Sequence, residues 1–255
     1  MKPLAIDLFC GLGGWTEGLL AEGYDVVGFD IERHEYGEHR YPAQLVIQDV
    51  LTLHGSQFKD AALIVASPPC QEYSYMAMPW SLAKEKQARI KADPAEQKRL
   101  TALFDACFRI QREACQAAGR NIPMVVENVR GAQKWVGRSR WNFGSFHLWG
   151  DVPALMPIAV ARKNNGGSWF AIGSPGQKEI GKNPVHALVA EGIKNKDADG
   201  YERTHPAAFG WKKPLTSSHS KSRKAASAQI AKIPLTLSIH IARTWWPGQI
   251  EKESA

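Results

Sequence analysis

Short apolar or β-branched runs alternate with longer amphipathic stretches through the first half of the chain. That alternation is the mark of repeated strand–helix units and a largely parallel sheet. The runs predict strands over Leu4–Phe9, Asp25–Phe29, Leu45–Ile47, Leu63–Ala66 and Met124–Glu127. A helix is expected from Pro94 to Ala118, with Leu100, Leu103, Phe104, Cys107, Phe108 and Cys115 on its apolar face. Before it, Trp80 to Asp93 reads as a polar and basic passage. From Asp151 to Lys224 periodicity is lost. Gly, Ser, Asn and Lys dominate there, with Trp169, Phe170, Phe209 and Trp211 scattered among them, which predicts a second, smaller, irregular lobe. Helical spacing returns in Ile230, Ile233, Leu237 and Ile241, so a final helix starting near Pro234 should pack back on the first domain. The fold class is therefore α/β, in three parts: 1–150, 151–224 and 225–255.

At 255 residues and 44% hydrophobic content the chain can bury one sizeable core plus an appended lobe. Asp7 interrupts the first apolar run, so neither a signal peptide nor a membrane span is expected and the protein should stay in the cytoplasm. Four cysteines without a C-x-x-C pair argue against a zinc site or a disulfide framework and leave room for a reactive thiol. The formal charge is +7, and residues 151–224 hold 12 Lys or Arg against 6 Asp or Glu. A surplus placed there suits a segment that meets a nucleic acid backbone, and equally a solvated basic surface.

Three segments carry chemistry. Asp7-Leu8-Phe9-Cys10-Gly11-Leu12-Gly13-Gly14 follows a predicted strand and precedes the helix-like Trp15–Leu20, so glycine backbone and helix N–H groups can approach a nucleotide-like cofactor. Asp30 ends the next strand, where a carboxylate can accept from ribose hydroxyls, and Asp49 ends the third, placed to read an adenine amino group. The spacing is G-x-G-G and not G-x-G-x-x-G, which counts against a nicotinamide dinucleotide. Ser67-Pro68-Pro69-Cys70-Gln71 follows the fourth strand, and its prolines would hold Cys70 stiffly at the ligand-binding edge of the sheet. Val125-Val126-Glu127-Asn128-Val129 brings an acid to the same edge.

Together these segments resemble the DNA cytosine C5 methyltransferase family, in sequence and in order. Asp7–Gly14 is similar to its cofactor motif, Pro69-Cys70-Gln71 to its nucleophile motif and Glu127-Asn128-Val129 to its base-binding motif. The resemblance implies a Rossmann-like class I methyltransferase sheet, with residues 1–150 binding S-adenosylmethionine, 151–224 forming a target-recognition lobe and 225–255 a returning helix. It implies Phe9 and Ile31 on the two adenine faces, the Leu12–Gly14 backbone near the methionine portion, Asp30 on the ribose and Asp49 on the adenine, with Gly11, Val50 and Pro69 completing the cofactor contacts. Cys70 would add to C6 of a cytosine flipped out of duplex DNA, Glu127 would stabilise the base, and Gln71, Ser74 and Asn128 would touch it. Arg138 and Arg140 are the two candidates for the base O2.

The chain also departs from the family. Val136 stands where the arginine motif has Gln, and Ile230-Ala231-Lys232-Ile233-Pro234 stands where Gly-Asn-x-Val-Pro is usual. Lys232 could meet the cofactor's carboxylate or a modified cofactor with an extra acid group, or simply lie exposed before the helix. Between Gln71 and Arg99, Lys84, Lys86, Arg89 and Lys91 are placed either to meet phosphates or to solvate a loop. The implied enzyme is a DNA cytosine-5 methyltransferase, monomeric on DNA and away from membranes. The same chemistry on transfer RNA, or a nucleic-acid-binding module without catalysis, are the rival readings.

Overall fold

In the computed structural model, residues 2–36, 38–71, 73, 80–156, 228 and 231–248 are described. Apolar runs form five parallel strands: β1 (Leu4–Leu8), β2 (Asp25–Asp30), β3 (Gln44–Ile47), β4 (Ala61–Ala66) and β5 (Met124–Asn128). The inner strands β4 and β5 read as continuous apolar runs because both of their faces are covered. Two strands were not foreseen. β6 (Trp141–Phe143) and β7 (Phe146–Gly150) form an antiparallel hairpin, and β7 pairs antiparallel with β5. Among the described residues the order is β3-β2-β1-β4-β5-β7-β6, a mixed seven-stranded Rossmann-like sheet. All its elements fall within one compact unit of the chain.

The strand order reverses between β1 and β4, so the segments leaving their carboxyl ends diverge and open a crevice there. That topological switch point receives Phe9–Gly13 from β1 and Ser67–Cys70 from β4.

Strand alternation feeds two cores. On one face Ile6, Leu8, Ile64 and Val126 pack with Phe104, Cys107 and Ile110 of α3 (Pro94–Ala118). On the other, Ala5, Leu63, Val65 and Val125 pack with Trp15 and Leu19 of α1 (Gly14–Ala21). α3 has the limits its sequence signals predict. The Asp93 carboxylate accepts from Ala95 N–H at 2.8 Å, Pro94 opens the first turn and Gly119 follows the last. Leu103, Phe108 and Cys115 are only half-buried; Ala106, Ile110 and Ala114 complete the buried stripe in their place.

The passage from Trp80 to Asp93 is corrected by the structure. Trp80–Ala92 is a helix, α2, paired with α3. Its buried seam consists of Ala83 and Ile90, seven residues apart, with lysines and arginines filling the turns between. So narrow a stripe leaves no amphipathic signal to read. A 3₁₀ turn (Arg130–Ala132) and the short α4 (Gln133–Val136) lead from β5 toward the hairpin.

The last helix, α5 (Leu235–Thr244), begins directly after Pro234 and packs on α1 as expected, contributing Leu237 and Ile241 to the second core. The approach is close because residue 18 is glycine: a Cβ there would run into the Ser238 side chain and Ile239 N. Tyr24 OH donates to Ala242 O at 3.0 Å, and the Tyr24 and Trp246 rings meet edge to face. No helix among the described residues is long and apolar enough to cross a membrane. Of the irregular lobe only residues 151–156 are described; Trp169, Phe170, Phe209, Trp211 and Ile230 lie outside the described residues.

Candidate active site

The chain leaves β1 through a bend that only an unusual backbone permits. Phe9 has φ 58, the one positive φ of any non-glycine residue among the described residues. Such a conformation costs on the order of 1–3 kcal/mol and is typical of functional loops. Gly13, at φ 78, completes the turn, and a side chain there would meet Pro42 Cδ at 2.5 Å. Gly13 N–H bonds to Cys10 O at 2.8 Å and Gly11 N–H donates to Asp30 Oδ2 at 2.9 Å, so the loop is tied to itself and to the end of β2. Leu12 and Gly14 are buried beneath it.

Asp30 also accepts from Ile31 N–H at 2.8 Å and faces His34 Nε2 at 3.5 Å. Burial alone would raise its carboxyl, but hydrogen bonds from His34 and Gly11, the His34 charge and Glu32 N–H together hold it below its ordinary value. A carboxylate is thus kept ionised at the mouth of the crevice. Beside it the Ile31 side chain is 69% exposed, an apolar surface awaiting cover. Asp49, at the end of β3, caps a 3₁₀ turn by accepting from Leu51 N–H at 2.9 Å. Val50 turns inward and packs with Leu53, Phe58 and Phe29 in the first core.

Under the loop, Asp7 is fully buried. Its Oδ2 accepts from Thr16 Oγ1 at 2.7 Å, and Thr16 Oγ1 lies 2.7 Å from Tyr41 OH. Desolvation, then the Asp30 charge, raise the Asp7 carboxyl to about 7 against the Thr16 hydrogen bonds, and Oδ1 has no partner among the described residues. The left-handed turn, the buried oxygen without a partner, the ionised strand-end acid and the exposed Ile31 fit a nucleoside cofactor with a charged tail. The structure places Phe9, Gly11, Leu12, Gly13 and Gly14 on the turn after β1, Asp30 and Ile31 at the end of β2, and Asp49 and Val50 just beyond β3.

Beyond β4 the chain continues its ladder with Ser67 N–H on Leu8 O at 3.1 Å, then turns at Pro68-Pro69. Pro68 is buried, Pro69 and Gln71 are exposed, and Cys70 is half-buried between them. Tyr73 N–H closes the turn on Cys70 O at 3.0 Å. Asn128 is 1% exposed and donates to Pro68 O at 2.8 Å while accepting from Val129 N–H. Its amide is engaged in clamping the cysteine loop to β5, so its effect on a substrate would pass through Cys70. Ser74 lies outside the described residues.

Glu127 is 8% exposed at the end of β5. Burial raises its carboxyl to about 8, opposed by a hydrogen bond from Ser67, so it is mainly protonated at neutral pH. Burial, followed by the Glu127 charge, raises the Cys70 thiol to about 11. The Cys70 thiol therefore senses the Glu127 charge. Arg138 and Arg140 are both exposed on the segment before β6, and Arg140 N–H donates to Leu148 O, the residue paired with Glu127.

Two neighbours escaped the sequence reading. Trp15 Nε1–H donates to Ser67 Oγ at 3.0 Å across 52 residues of chain. His147, opposite Asn128 in the β5–β7 register, lies 2.9 Å through Nδ1 from Ser139 Oγ and is held below its ordinary value by burial and the Arg130 charge. Neither pairing carries a sequence signal; only the unforeseen hairpin would have pointed to His147.

Residues 4–101 match the family model described as C-5 cytosine-specific DNA methylase. No curated protein matches the chain. Among solved structures, a DNA modification methyltransferase encoded within an E. coli prophage is 24% identical over 51% of this chain and 33% of its own, with a TM-score of 0.34. The Entamoeba histolytica methyltransferase EhMeth is 18% identical over 54% and 41%, and the S. pombe Dnmt2 methyltransferase 16% identical over 52% and 36%, each with a TM-score of 0.32. The chain thus spans between a third and two fifths of these proteins' length. Residues 4–101, which hold the glycine loop, Asp30, Asp49 and Cys70, are thus similar to the C-5 cytosine-specific DNA methylase family.

Proposed function

We propose that the protein methylates C5 of a cytosine in duplex DNA, with Cys70 as covalent nucleophile and S-adenosylmethionine as methyl donor. The observation that carries this reading is the placement of a half-buried thiol and a buried acid beyond the ends of adjacent strands, beside a glycine loop at the switch point. Cytosine C5 is a poor nucleophile. The Cys70 thiol gives up its proton to solvent, and the resulting thiolate adds to C6, forming an S–C6 bond and moving electron density to C5. The cofactor supplies an electrophilic methyl group to that carbon. Loss of the C5 proton to a base or to solvent then restores the ring and breaks the S–C6 bond, returning Cys70.

Glu127 serves the addition step. Protonated near neutral pH, it can donate to cytosine N3 and accept from the 4-amino group, offsetting charge that develops on the ring. Asn128 holds the turn that carries Cys70. Asp30 and the Gly11–Gly13 loop would hold the cofactor's ribose and methionine portions, with Phe9 and Ile31 beside the adenine. C5 and C6 are hidden within a stacked duplex, so the target base must be flipped out. The basic segment 151–224 is the part proposed to read sequence.

The test is transfer of radiolabelled methyl from S-adenosylmethionine to unmethylated duplex DNA and to transfer RNA, comparing wild type with Cys70→Ser. The proposal expects label in DNA as 5-methylcytosine, lost in the variant. Label entering RNA alone would move the substrate and keep the chemistry, whereas DNA labelling by Cys70→Ser at the wild-type rate would exclude Cys70 as nucleophile.

A further inference from the structure

We infer that Ser139, held between Gln133 and His147, fixes the segment bearing Arg138 and Arg140, so that both guanidinium groups are presented to nucleic acid as a preset pair. Gln133, Ser139 and His147 are then positioning residues, a role that rests on the DNA substrate proposed above. Residues 128–150 carry Arg130, Lys134, Arg138 and Arg140 and no Asp or Glu. All four cations are exposed, and none forms an ion pair among the described residues. The exposed Trp141 directly follows them. Uncompensated positive charge beside an aromatic face matches the phosphates and bases of a nucleic acid.

The bonds leave little choice of donor and acceptor. Gln133 Oε1 accepts from Ser139 N–H at 3.2 Å and from Ser139 Oγ at 3.1 Å, while Gln133 Nε2 donates to Arg130 O at 3.4 Å. With its one proton given to Gln133, Ser139 Oγ accepts from His147 Nδ1 at 2.9 Å. Burial and the Arg130 charge disfavour a second proton on His147, so its single N–H sits on Nδ1. The backbone is fastened on both sides of Ser139. Gly137 O accepts from Trp149 Nε1 at 3.0 Å, and Arg140 N–H donates to Leu148 O at 2.8 Å. His147 is buried and lies opposite Asn128, which clamps the cysteine turn. The brace thus ties the arginine segment to β7 and, through strand pairing, to the strand that carries Glu127 and Asn128. Fixing the segment beforehand removes an ordering cost from DNA binding.

The experiment measures binding of a fluorescein-labelled duplex by anisotropy over a range of salt, with the KM for DNA and for S-adenosylmethionine followed in parallel. Arg138→Ala and Arg140→Ala should each weaken binding roughly tenfold and flatten its salt dependence. Ser139→Ala removes no charge, yet it should weaken binding roughly threefold and raise the KM for DNA while the cofactor KM holds. Ser139→Thr should restore both. If Ser139→Ala does not fold, the histidine carries the same test: His147→Asn keeps a donor in place of Nδ1 and should bind as wild type does, whereas His147→Phe should bind as weakly as Ser139→Ala. ¹⁵N NMR of the wild-type His147 ring should show the proton on Nδ1. Wild-type affinity in both Ser139→Ala and His147→Phe, or a neutral ring protonated on Nε2, would overturn the brace. Arginine variants that bind as wild type does, or a wild type without affinity for the duplex, would overturn its role toward DNA. Full methyl transfer by Cys70→Ser would instead sink the covalent chemistry, and the affinities would still judge the brace.

Discussion

At the scale of single residues, the Cys70–Glu127 pair makes the most exposed predictions. Burial is the larger cause of the raised thiol and the Glu127 charge the second. Replacing Glu127 by Gln removes only the second. Alkylation of Cys70 by iodoacetamide, followed by mass spectrometry of its peptide, should therefore move to lower pH in Glu127→Gln yet remain above the range of a free thiol. An unmoved profile would mean that the two groups do not interact. The same acid affects stability. Its folded value of about 8 lies above the ordinary carboxyl value, so its contribution is intact below the unfolded pKa and is lost as pH rises toward 8. Glu127→Gln should gain stability relative to wild type between pH 5 and pH 9, by on the order of a few kcal/mol. Urea unfolding at the two pH values checks it, and a constant difference would contradict it. Cys70 and Glu127 were legible in the sequence because one follows an apolar strand through a Pro-Pro turn and the other lies at the end of the next, at the edge where ligands bind. Ser67 and Trp15 were not, because a bond across 52 residues leaves no local pattern.

Between elements, the contact of α1 with α5 depends on glycine at position 18. Gly18→Ala would press on Ser238 and on the Ile239 backbone and should destabilise by roughly 1–3 kcal/mol, the range for overpacking. Adding Ser238→Gly should return part of this, since the side chain is one of the two obstacles. A Gly18→Ala protein as stable as wild type would show that the helices can part without loss. Losing the Asp93 cap by Asp93→Ala should cost about 1 kcal/mol, measured by thermal unfolding. α3 was readable to its ends because Asp93 and Pro94 mark its start and Gly119 directly follows its last residue. α2 was not, since a seam of two buried residues among lysines does not resemble an amphipathic stripe. The hairpin β6–β7 was missed for another reason: its strands are three and five residues long and joined by two, too short for alternation to register.

For the molecule as a whole, the order β3-β2-β1-β4-β5-β7-β6 unites what the sequence kept apart. It sets the glycine loop and the cysteine turn on either side of the switch point and Glu127 on the next strand. The central claim is that Cys70 attacks cytosine C6. It is tested most directly with duplex DNA in which 5-fluorocytosine replaces cytosine, incubated with the protein and S-adenosylmethionine. Fluorine at C5 cannot leave as a proton does, so the final elimination stalls with the S–C6 bond in place. Mass spectrometry should then find the methylated fluorocytosine nucleotide attached to the Cys70 peptide, and no adduct in Cys70→Ser. Methyl transfer into ordinary cytosine DNA by the same preparation, with no adduct on Cys70 from the fluorinated duplex, would contradict the account.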